Sequence, residues 1–324
     1  MNDFYTRRQF AGAAAAGLLV GTRALTSSPR AHAADGDAPR RRTLRVAHLT
    51  DVHVQPERDA PAGFAKALRH VQSLADPPEM IINGGDAIMD GLEVGAARLD
   101  EQWKLWQSVL KEECSLPVQH VIGNHDVWGW NKKRSGTTSD EPGWGKQRTL
   151  DELGLDARYR SFDAGGWHFV VLDSIFPDDE NAYIARIDEQ QWDWLAGDLK
   201  ASPADVPIGI VSHIPILSVA TVEFEPYFVE KPGLRRSISH TDQWRFVELF
   251  RRHANIKLCL SGHLHLLERI DYAGITYICT GAVSGNWWKG NLLHVDEGYG
   301  LVDFYDDGSF EHQYVPYGWE VNES

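Results

Sequence analysis

The first half of the chain alternates short apolar segments with amphipathic ones, and this alternation predicts parallel strands with helices packed over them. Apolar, β-branched stretches of strand length recur between segments whose apolar residues are spaced as on one face of a helix. The predicted strands are residues 43–50, 80–82 and 118–122, and the predicted helices are 61–75 and 96–113. A βαβαβ order of this kind is typical of an α/β domain.

The second half adds shorter strands and two more helices. Residues 128–148 are polar, aromatic and glycine-rich, and we interpret them as a functional loop. The other predicted elements are helices 188–200 and 241–253, paired strands 159–162 and 167–172, and strands 208–211, 256–260, 266–270, 276–279, 300–305 and 310–315. Because there is no internal repeat and no long linker, the pattern predicts one α/β domain over residues 43–324. It would consist of two packed sheets with helices outside.

The N-terminal segment has the parts of a bacterial export signal. Arg7 and Arg8 precede an apolar, alanine- and glycine-rich run over 11–20, which a small-residue A-x-A site follows. Paired arginines here are typical of the twin-arginine type. The apolar run is well short of the ~18–20 residues of a membrane span, which makes an anchor the weaker alternative. We predict a signal peptide over 1–33 and a linker over 34–42. The expected partner is the twin-arginine export machinery, and the expected location is periplasmic or secreted, without a stable membrane anchor after cleavage.

Charge and cysteine content narrow the function. The sequence has 32 basic and 46 acidic residues, a formal net charge of −14. Such a charge argues against a nucleic-acid partner, because sequence-independent binding to phosphate backbones needs basic surface. The 3 cysteines are an odd number and cannot form a disulfide framework. The chemistry must therefore come from local motifs.

Polar blocks follow five of the predicted strands at the point where each strand ends. Because ligands of open α/β sheets collect at the carboxyl ends of strands, we expect these blocks to meet. Asp51 and His53, two residues apart on an extended segment, would share a face, and so would His263 and His265. The blocks are Asp51-Val52-His53, Gly84-Gly85-Asp86, Gly123-Asn124-His125-Asp126, Ser212-His213 and Gly262-His263-Leu264-His265.

This series of blocks resembles the calcineurin-like metallophosphoesterase superfamily over essentially the whole of residues 51–265. The resemblance implies an α/β fold with two packed mixed β-sheets flanked by helices, a four-layer α/β/β/α sandwich. It also implies a metal-dependent hydrolase of a small phosphate ester. Within the superfamily, the chain looks most like small bacterial phosphodiesterases of the cyclic-nucleotide type and their exported relatives.

The resemblance further implies a centre of two metal ions that share Asp86. The first ion would be held by Asp51, His53, Asp86 and His265, and the second by Asp86, Asn124, His213 and His263. Imidazole, carboxylate and amide donors without thiolate suit Fe, Mn, Zn or Co. Two such ions, ~3.5–4 Å apart, would bind the ester oxygens and supply a bridging hydroxide that attacks phosphorus.

His125 and Asp126 complete the catalytic set that the resemblance implies. His125 matches the family's histidine that contacts the phosphate without binding metal and protonates the leaving group. Asp126 would hold that imidazole in the right tautomer, as carboxylates behind a site do. The alternative for Asp126 is a turn residue that caps the next segment.

Departures from the family's pattern narrow the subfamily. Residues 85–91 contain no arginine, unlike the matching block of the Ser/Thr protein phosphatases. The chain keeps His53 and has no tyrosine soon after Asp86, unlike purple acid phosphatases, and it is too short for the second domain of secreted 5′-nucleotidases. The prediction is therefore a phosphodiesterase. The alternatives are a phosphomonoesterase of the same fold and, from a different class, a catalytically silent metal- or phosphate-binding module.

Tryptophans are the candidates for substrate recognition beyond the phosphate. Trp287 and Trp288 lie in a glycine-rich stretch after a predicted strand, and Trp128 and Trp130 lie in the loop after His125. Each could stack on a flat or cationic part of the substrate, or pack as core.

The loop over 128–148 also carries a basic cluster. Its members are Lys132, Lys133, Arg134, Lys146 and Arg148. In so acidic a chain the cluster could recruit a second anionic group of the substrate, and a solvated run of charge is the alternative.

Overall fold

A computed structural model describes residues 39–179, 182–219 and 236–321 of the chain. The described residues from Arg40 to Val321 belong to one structural unit. The predicted signal peptide and residues 34–38 of the predicted linker lie outside the described residues, so both stay predictions.

The described residues contain strands and helices in the order that the sequence predicts, with some additions. The strands are β1 (Arg42–Leu49), β2 (Met80–Asn83), β3 (Val118–His120), β4 (Arg160–Ala164), β5 (Trp167–Leu172), β6 (Ile175–Asp178), β7 (Ala182–Ala185), β8 (Ile208–Ser212), β9 (Ile256–Ser261), β10 (Glu268–Tyr272), β11 (Ile275–Cys279), β12 (Gly298–Tyr305) and β13 (Phe310–Pro316). The helices are α1 (Ala60–Gln72), α2 (Ala96–Glu113), α3 (Lys132–Ser135), α4 (Lys146–Leu153), α5 (Glu189–Ala201) and α6 (Gln243–Phe250).

Two mixed sheets carry most of the strands. The first has the order β13-β12-β1-β2-β3, in which β1, β2 and β3 run parallel and β12 and β13 pair antiparallel. The second has the order β10-β11-β9-β8-β5-β4, parallel from β11 to β5 and antiparallel at both edges. The carboxyl ends of neighbouring parallel strands therefore come together in each sheet.

Three apolar layers form the core. One lies between the two sheets, and each of the others lies between one sheet and a pair of helices. Alternate residues of a strand point to opposite faces. On β1, Val46 joins the core between the two sheets, whereas Ala47 joins the core beneath α1 and α2. On β8, Val211 joins the core between the sheets and Ile210 the core beneath α5 and α6. This α/β/β/α layering confirms the predicted fold class.

The structure departs from the predicted elements in residues 128–185. The segment predicted as a continuous loop contains α3 and the first turn of α4. A hairpin of β6 and β7, antiparallel from Ile175 to Ala185, also had no counterpart in the prediction. Both are short elements whose apolar residues are too few to show a period.

Across the described ranges of the chain, none of the helices has the length and apolarity that crossing a bilayer would need.

Candidate metal centre

The five polar blocks meet where the two sheets present their carboxyl ends. Asp51 follows β1, Asp86 follows β2 and Asn124 comes after β3 in the first sheet. His213 follows β8 and His263 comes after β9 in the second sheet. Side chains from both sheets fall into common groups whose ligand atoms lie within 4.8 Å of one another.

The backbone of these blocks is left-handed rather than extended. Asp51, His53, Asp86, His263 and His265 have φ angles between 49° and 70°. Residues other than glycine seldom adopt such angles, and those that do concentrate at functional sites, where the surrounding structure holds them. The expectation that each pair shares a face of an extended segment is therefore wrong. The strands end before each pair begins, and the chain turns so that both side chains face the centre.

Backbone hydrogen bonds hold the two leading blocks side by side. The Asp51 N–H donates to the Gly85 carbonyl at 3.0 Å, and the His53 N–H donates to the Asp86 carbonyl at 3.0 Å. These bonds join the turns that follow β1 and β2, without the register of a regular sheet. They place Asp86 next to Asp51 and His53.

One group of candidate ligands is Asp51, His53 and His265, all buried. The Nε2 atoms of His53 and His265 are 3.1 Å apart. The Asp51 Oδ1 atom lies 3.4 Å from His265 Nε2 and 3.8 Å from His53 Nε2. Three donor atoms therefore converge on one point, as they would around a cation.

A second group is Asp86, His213 and His263. His213 Nε2 is 3.1 Å from Asp86 Oδ2 and 3.1 Å from the side-chain oxygen of Asn124. Asp86 Oδ2 is also 3.7 Å from His53 Nε2. Asp86 therefore lies between the two groups, in the place that a shared ligand would occupy.

Backbone carbonyls set the tautomers of three of these histidines. A carbonyl oxygen can only accept, so the ring nitrogen bonded to it carries the proton and, in the neutral ring, the other nitrogen keeps its lone pair. The pairs are His265 Nδ1 with the Gly285 carbonyl at 2.5 Å, His213 Nδ1 with the Gly84 carbonyl at 2.9 Å, and His263 Nε2 with the Ser237 carbonyl at 2.9 Å. Metal-binding histidines are oriented in this way.

The electrostatics of the site favour positive charge. Burial acts to raise the pKa of Asp51 and of Asp86, yet the neighbouring histidines hold both pKa values below the ordinary one. Burial lowers the pKa of His263 to about 3, which keeps that ring neutral. Burial also acts to lower the pKa of His213, but the adjacent Asp86 carboxylate raises it to about 9. Ionised carboxylates that stabilise a proton here would stabilise a metal cation in the same place.

Two glycines are required by the closeness of this packing. A Cβ atom at Gly123 would lie 2.1 Å from the backbone nitrogen and Oδ1 of Asp86. One at Gly262 would lie 2.3 Å from Asp51 Oδ2. Any side chain at Gly123 would displace Asp86, which lies between the two ligand groups, and any side chain at Gly262 would displace Asp51 of the first group.

A family model for calcineurin-like phosphoesterases matches residues 44–267, which contain all of the blocks described above. The chain belongs to the calcineurin-like phosphoesterase family. As a member it is a metal-dependent hydrolase of phosphoric esters, and the clustered histidines and aspartates indicate a dinuclear metal site.

Known phosphoesterases are similar to this one along most of its length. A 3′,5′-cyclic-nucleotide phosphodiesterase of Nostoc sp. is 22% identical over 86% of this chain and 95% of its own length. A "probable cyclic nucleotide phosphodiesterase" of Rhodococcus erythropolis is 22% identical over 85% of this chain and 84% of its own length. Among solved structures, a dimetal phosphatase from Danio rerio covers 86% of this chain and 100% of that chain, with a TM-score of 0.57 and 15% identity. At that identity the structural match shows the fold.

His125 lies beside both ligand groups of the phosphoesterase. Its ring packs edge-on against His53, with centroids 4.7 Å apart, and together with His53 and Asp86 it forms a third group that could hold a metal ion. The His125 Nδ1 atom donates to the Met89 carbonyl at 2.6 Å. Nε2 is therefore the nitrogen left to face a substrate.

The hypothesis that Asp126 orients His125 is wrong, because Met89 does so. Asp126 is fully buried, and each of its oxygens accepts two backbone N–H groups. The donors are Asp86 at 3.0 Å and Gly123 at 2.8 Å on Oδ2, and Ala87 at 2.8 Å and Ile88 at 3.4 Å on Oδ1. Burial, and then the charge of Asp86, raise the pKa of Asp126 to about 6. Asp126 thus ties together the loops after β2 and β3.

The two adjacent tryptophans have different surroundings. Trp288 is fully buried, its ring packs against Trp319 with centroids 5.6 Å apart, and its Nε1 donates to the His53 carbonyl at 3.1 Å. The prediction that Trp288 contacts substrate is therefore wrong, and the core alternative is right. The half-buried Trp287 ring lies 4.4 Å from the His265 ring, centroid to centroid, and 5.9 Å from the His53 ring.

The two tryptophans after His125, Trp128 and Trp130, also differ in burial. Trp128 is buried in the core beneath α1 and α2, and its Nε1 donates to the Val94 carbonyl at 3.2 Å, so its predicted substrate contact is wrong. Trp130 is half-buried, 5.2 Å from the Lys146 ammonium, and lines a cleft of about 470 Å³ with Trp144. A substrate contact of Trp130 stays a prediction.

Most of the basic cluster is already paired. The Lys146 ammonium is buried and lies 2.6 Å from a carboxylate oxygen of Asp173. Arg148 pairs with Asp100 at 2.6 Å, and Arg134 pairs with Glu93. Lys146 is neutralised within the protein and is not available to a second anionic group, so the hypothesis of an anion-recruiting cluster is wrong for this residue. For the other members, including the exposed Arg134, it stays a prediction.

Tyr183 is at the site, although no sequence pattern pointed to it. It lies on β7, its ring is edge-on to His263 with centroids 6.3 Å apart, and its hydroxyl bonds the Ser237 side chain. Burial, and then the charge of Asp86, raise the pKa of this hydroxyl, so it stays a neutral donor. The hairpin that carries it has no sequence signature, and a lone tyrosine there is not a motif.

Proposed function

We propose that this phosphoesterase cleaves phosphodiesters and that a cyclic nucleotide, or a diester with a similarly flat leaving group, is its substrate. The observation that carries the proposal is the similarity to the Nostoc cyclic-nucleotide phosphodiesterase, which aligns over 95% of that protein's length. The position of Trp287 supports it, because an indole ring beside His265 offers a stacking surface next to the phosphate site.

We further propose the metal ligands that the geometry favours. Asp86 would be shared, and the two ions would be Fe, Mn, Zn or Co. The ligands of the first would be Asp51, His53, Asp86 and His265, and those of the second Asp86, Asn124, His213 and His263. When bound, such ions supply Lewis acidity and an activated water at neutral pH.

The other roles in this proposal, proton donation and substrate orientation, belong to side chains of the protein. The hydrogen bond from Nδ1 to Met89 holds the His125 ring so that Nε2 faces the site. As the imidazolium, the ring carries a second proton on Nε2, which can bind a phosphoryl oxygen and then pass to the leaving oxygen, and the ring returns to its neutral form. The Trp287 ring orients the substrate by stacking on its flat part, worth ~1–3 kcal/mol. The Tyr183 hydroxyl is a neutral hydrogen-bond donor at the same edge and would exclude water from it.

Substrate class is tested with the metal-loaded enzyme on four esters. These are bis-p-nitrophenyl phosphate, p-nitrophenyl phosphate, 3′,5′-cyclic AMP and AMP. We expect kcat/KM for each diester to exceed that for its monoester by at least about 10-fold. A preference for the monoesters would establish the phosphomonoesterase alternative, and no turnover of any ester by protein that holds both metals would establish the silent binding module.

The metal assignment is tested at Asp86. Asp86→Asn should lose at least one metal per chain by elemental analysis and nearly all turnover, whereas the exposed Asp140→Asn should keep both. Two metals and unchanged turnover in the Asp86 variant would contradict the assignment.

Export is the part of the proposal that concerns residues 1–33. The full chain, expressed in a bacterium with twin-arginine machinery, should appear in the periplasmic or extracellular fraction. Replacing Arg7 and Arg8 with lysine should retain it in the cytoplasm. Equal distribution of the two proteins would contradict twin-arginine export.

A further inference from the structure

One peptide unit, between Met89 and Asp90, lies between His125 and a buried glutamine of α2, Gln102. Its carbonyl, which belongs to Met89, accepts the His125 Nδ1 proton at 2.6 Å. Its N–H, which belongs to Asp90, donates to Gln102 Oε1 at 3.0 Å. The unit is thus bonded on one side to the ring that faces the site and on the other to a helix of the scaffold.

Gln102 grips this segment at two points. Besides accepting the Asp90 N–H, it donates from Nε2 to the Asp90 carbonyl at 2.9 Å. The side chain is completely buried and rooted in the 18-residue helix α2. The Gln102 amide pairs with both the N–H and the carbonyl of Asp90, as one backbone segment pairs with another. Because both ends of the amide are bonded, it has little freedom to rotate.

Because the peptide unit is planar, the hydrogen bond to the Asp90 N–H also fixes the direction of the Met89 carbonyl. The C=O and N–H of one peptide unit are fixed in a common plane, so fixing one fixes the other. Hydrogen bonds in series also polarise one another, which makes the Met89 carbonyl a better acceptor when the Asp90 N–H is bonded. Loss of Gln102 would therefore weaken and misdirect the one bond that sets the tautomer of His125.

Other contacts hold the neighbouring peptide units, whereas this unit bonds His125 and Gln102 among the residues that the structure describes. The Met89 N–H donates to the Val54 carbonyl at 3.0 Å, and the Gly91 N–H donates to the His125 carbonyl at 2.6 Å. Both bonds would survive loss of the Gln102 side chain and would keep the loop in place. The expected effect of such a loss is on the orientation of one carbonyl and not on the fold.

We propose that Gln102 is a positioning residue for His125, which it orients through the Met89–Asp90 peptide unit. The proposal rests on the proposed function in one respect, the role of His125 as the proton donor to the leaving group. Gln102 itself touches neither the substrate nor the candidate ligands in this scheme, so its effect must pass through His125.

The test compares Gln102→Met with Gln102→Glu and with Gln107→Met, a matched control at an exposed glutamine of the same helix. Methionine keeps the shape and removes both hydrogen bonds. Glutamate keeps an oxygen that accepts from Asp90 and, as the neutral acid that burial favours, an O–H that donates to the Asp90 carbonyl. Turnover is measured on bis-phenyl and bis-p-nitrophenyl phosphate, because only the poor leaving group, phenolate, needs the proton. The tautomer of the neutral His125 ring is measured independently by ¹⁵N-histidine NMR of each protein, at a pH where the ring is deprotonated.

Gln102→Met should retain both metals and lower kcat for the phenyl ester about 10–100-fold, since misplacing a general acid forfeits part of its ~10²–10⁴-fold contribution. It should change kcat for the p-nitrophenyl ester less than 3-fold, and the His125 signal should show a mixture of tautomers. Gln102→Glu should recover most of the loss, and Gln107→Met should match wild type.

Equal losses on the two esters, or an unchanged tautomer, would overturn the positioning role and leave Gln102 a purely structural residue. If His125→Ala shows no dependence on leaving group, the proton-donor role fails, and with it that part of the proposed function. The NMR signal separates the cases, because it reports the Gln102–His125 coupling whatever His125 does in turnover. If Gln102→Met does not fold, Gln102→Asn, whose shorter side chain withdraws the amide from Asp90, carries the same measurements.

Discussion

Replacing Asp126 with asparagine should destabilise the protein because the carboxylate is the acceptor for four backbone donors. Either orientation of the new amide turns its NH2 group toward two N–H groups that cannot accept. One orientation opposes the donors of Asp86 and Gly123, at 3.0 and 2.8 Å, and the other opposes those of Ala87 and Ile88, at 2.8 and 3.4 Å. The second pair includes the longest bond, so the amide should turn that way.

The magnitude follows from the number of donors left without an acceptor. A buried donor that loses its acceptor costs about 1–3 kcal/mol, so two cost about 2–6 kcal/mol. Because the Ile88 bond is long, we expect the lower part of that range, about 2–4 kcal/mol. The two loops that Asp126 ties together carry Asp86 and Asn124, so metal affinity should fall as well.

Urea unfolding measures the loss, with and without a chelator, because bound metal would add its own stabilisation. Asp140→Asn makes the same chemical change at an exposed position and should alter the free energy of unfolding by less than about 0.5 kcal/mol. If Asp126→Asn also falls within that limit and keeps both metals, the four hydrogen bonds do not hold the loops.

Three further predictions test other contacts. Lys146→Met should reduce the free energy of unfolding by about 3 kcal/mol in urea, because it leaves the buried Asp173 with Arg158 as its remaining cation; a neutral effect would deny the pairing. Trp288→Ala should lower the free energy of unfolding by about 3–5 kcal/mol, because it empties part of the core. Trp287→Ala should leave stability unchanged and raise KM for a cyclic nucleotide about 5- to 150-fold, from the loss of ~1–3 kcal/mol of stacking. The reverse result would show that Trp287 is the core residue and Trp288 the substrate contact. His168 bonds Asp163 at 2.7 Å and Asp198 at 3.0 Å, which raise its pKa above 6.5 against the effect of burial. Its stabilisation should be complete below pH 6.5 and disappear as pH rises through the folded pKa, so the stability difference between wild type and His168→Asn should shrink from pH 6 to pH 9; a difference independent of pH would show that His168 is not charged in the fold.

Local patterns were sufficient for the order of the longer strands and helices and for the candidate metal ligands. Strand and helix periodicity depends on neighbours along the chain, and so does the position of a polar block after an apolar strand. Because parallel strands end at one edge, five such blocks predict a common site even without knowledge of the sheet order. This is why Asp51 and Asp86, which follow neighbouring strands, could be placed together in advance, whereas the place of His213 beside them was implied by the family resemblance.

Tertiary structure alone decided what each polar atom bonds. Asp126 and His125 are adjacent in sequence, yet the carboxylate binds backbone N–H groups and the imidazole binds the Met89 carbonyl. Trp287 and Trp288 are also adjacent, and one faces the site while the other is core. The left-handed backbone of the ligand blocks was equally invisible, because a local pattern favours extended geometry there. Such choices depend on contacts between segments tens to hundreds of residues apart, and those contacts exist only once the two sheets have packed together.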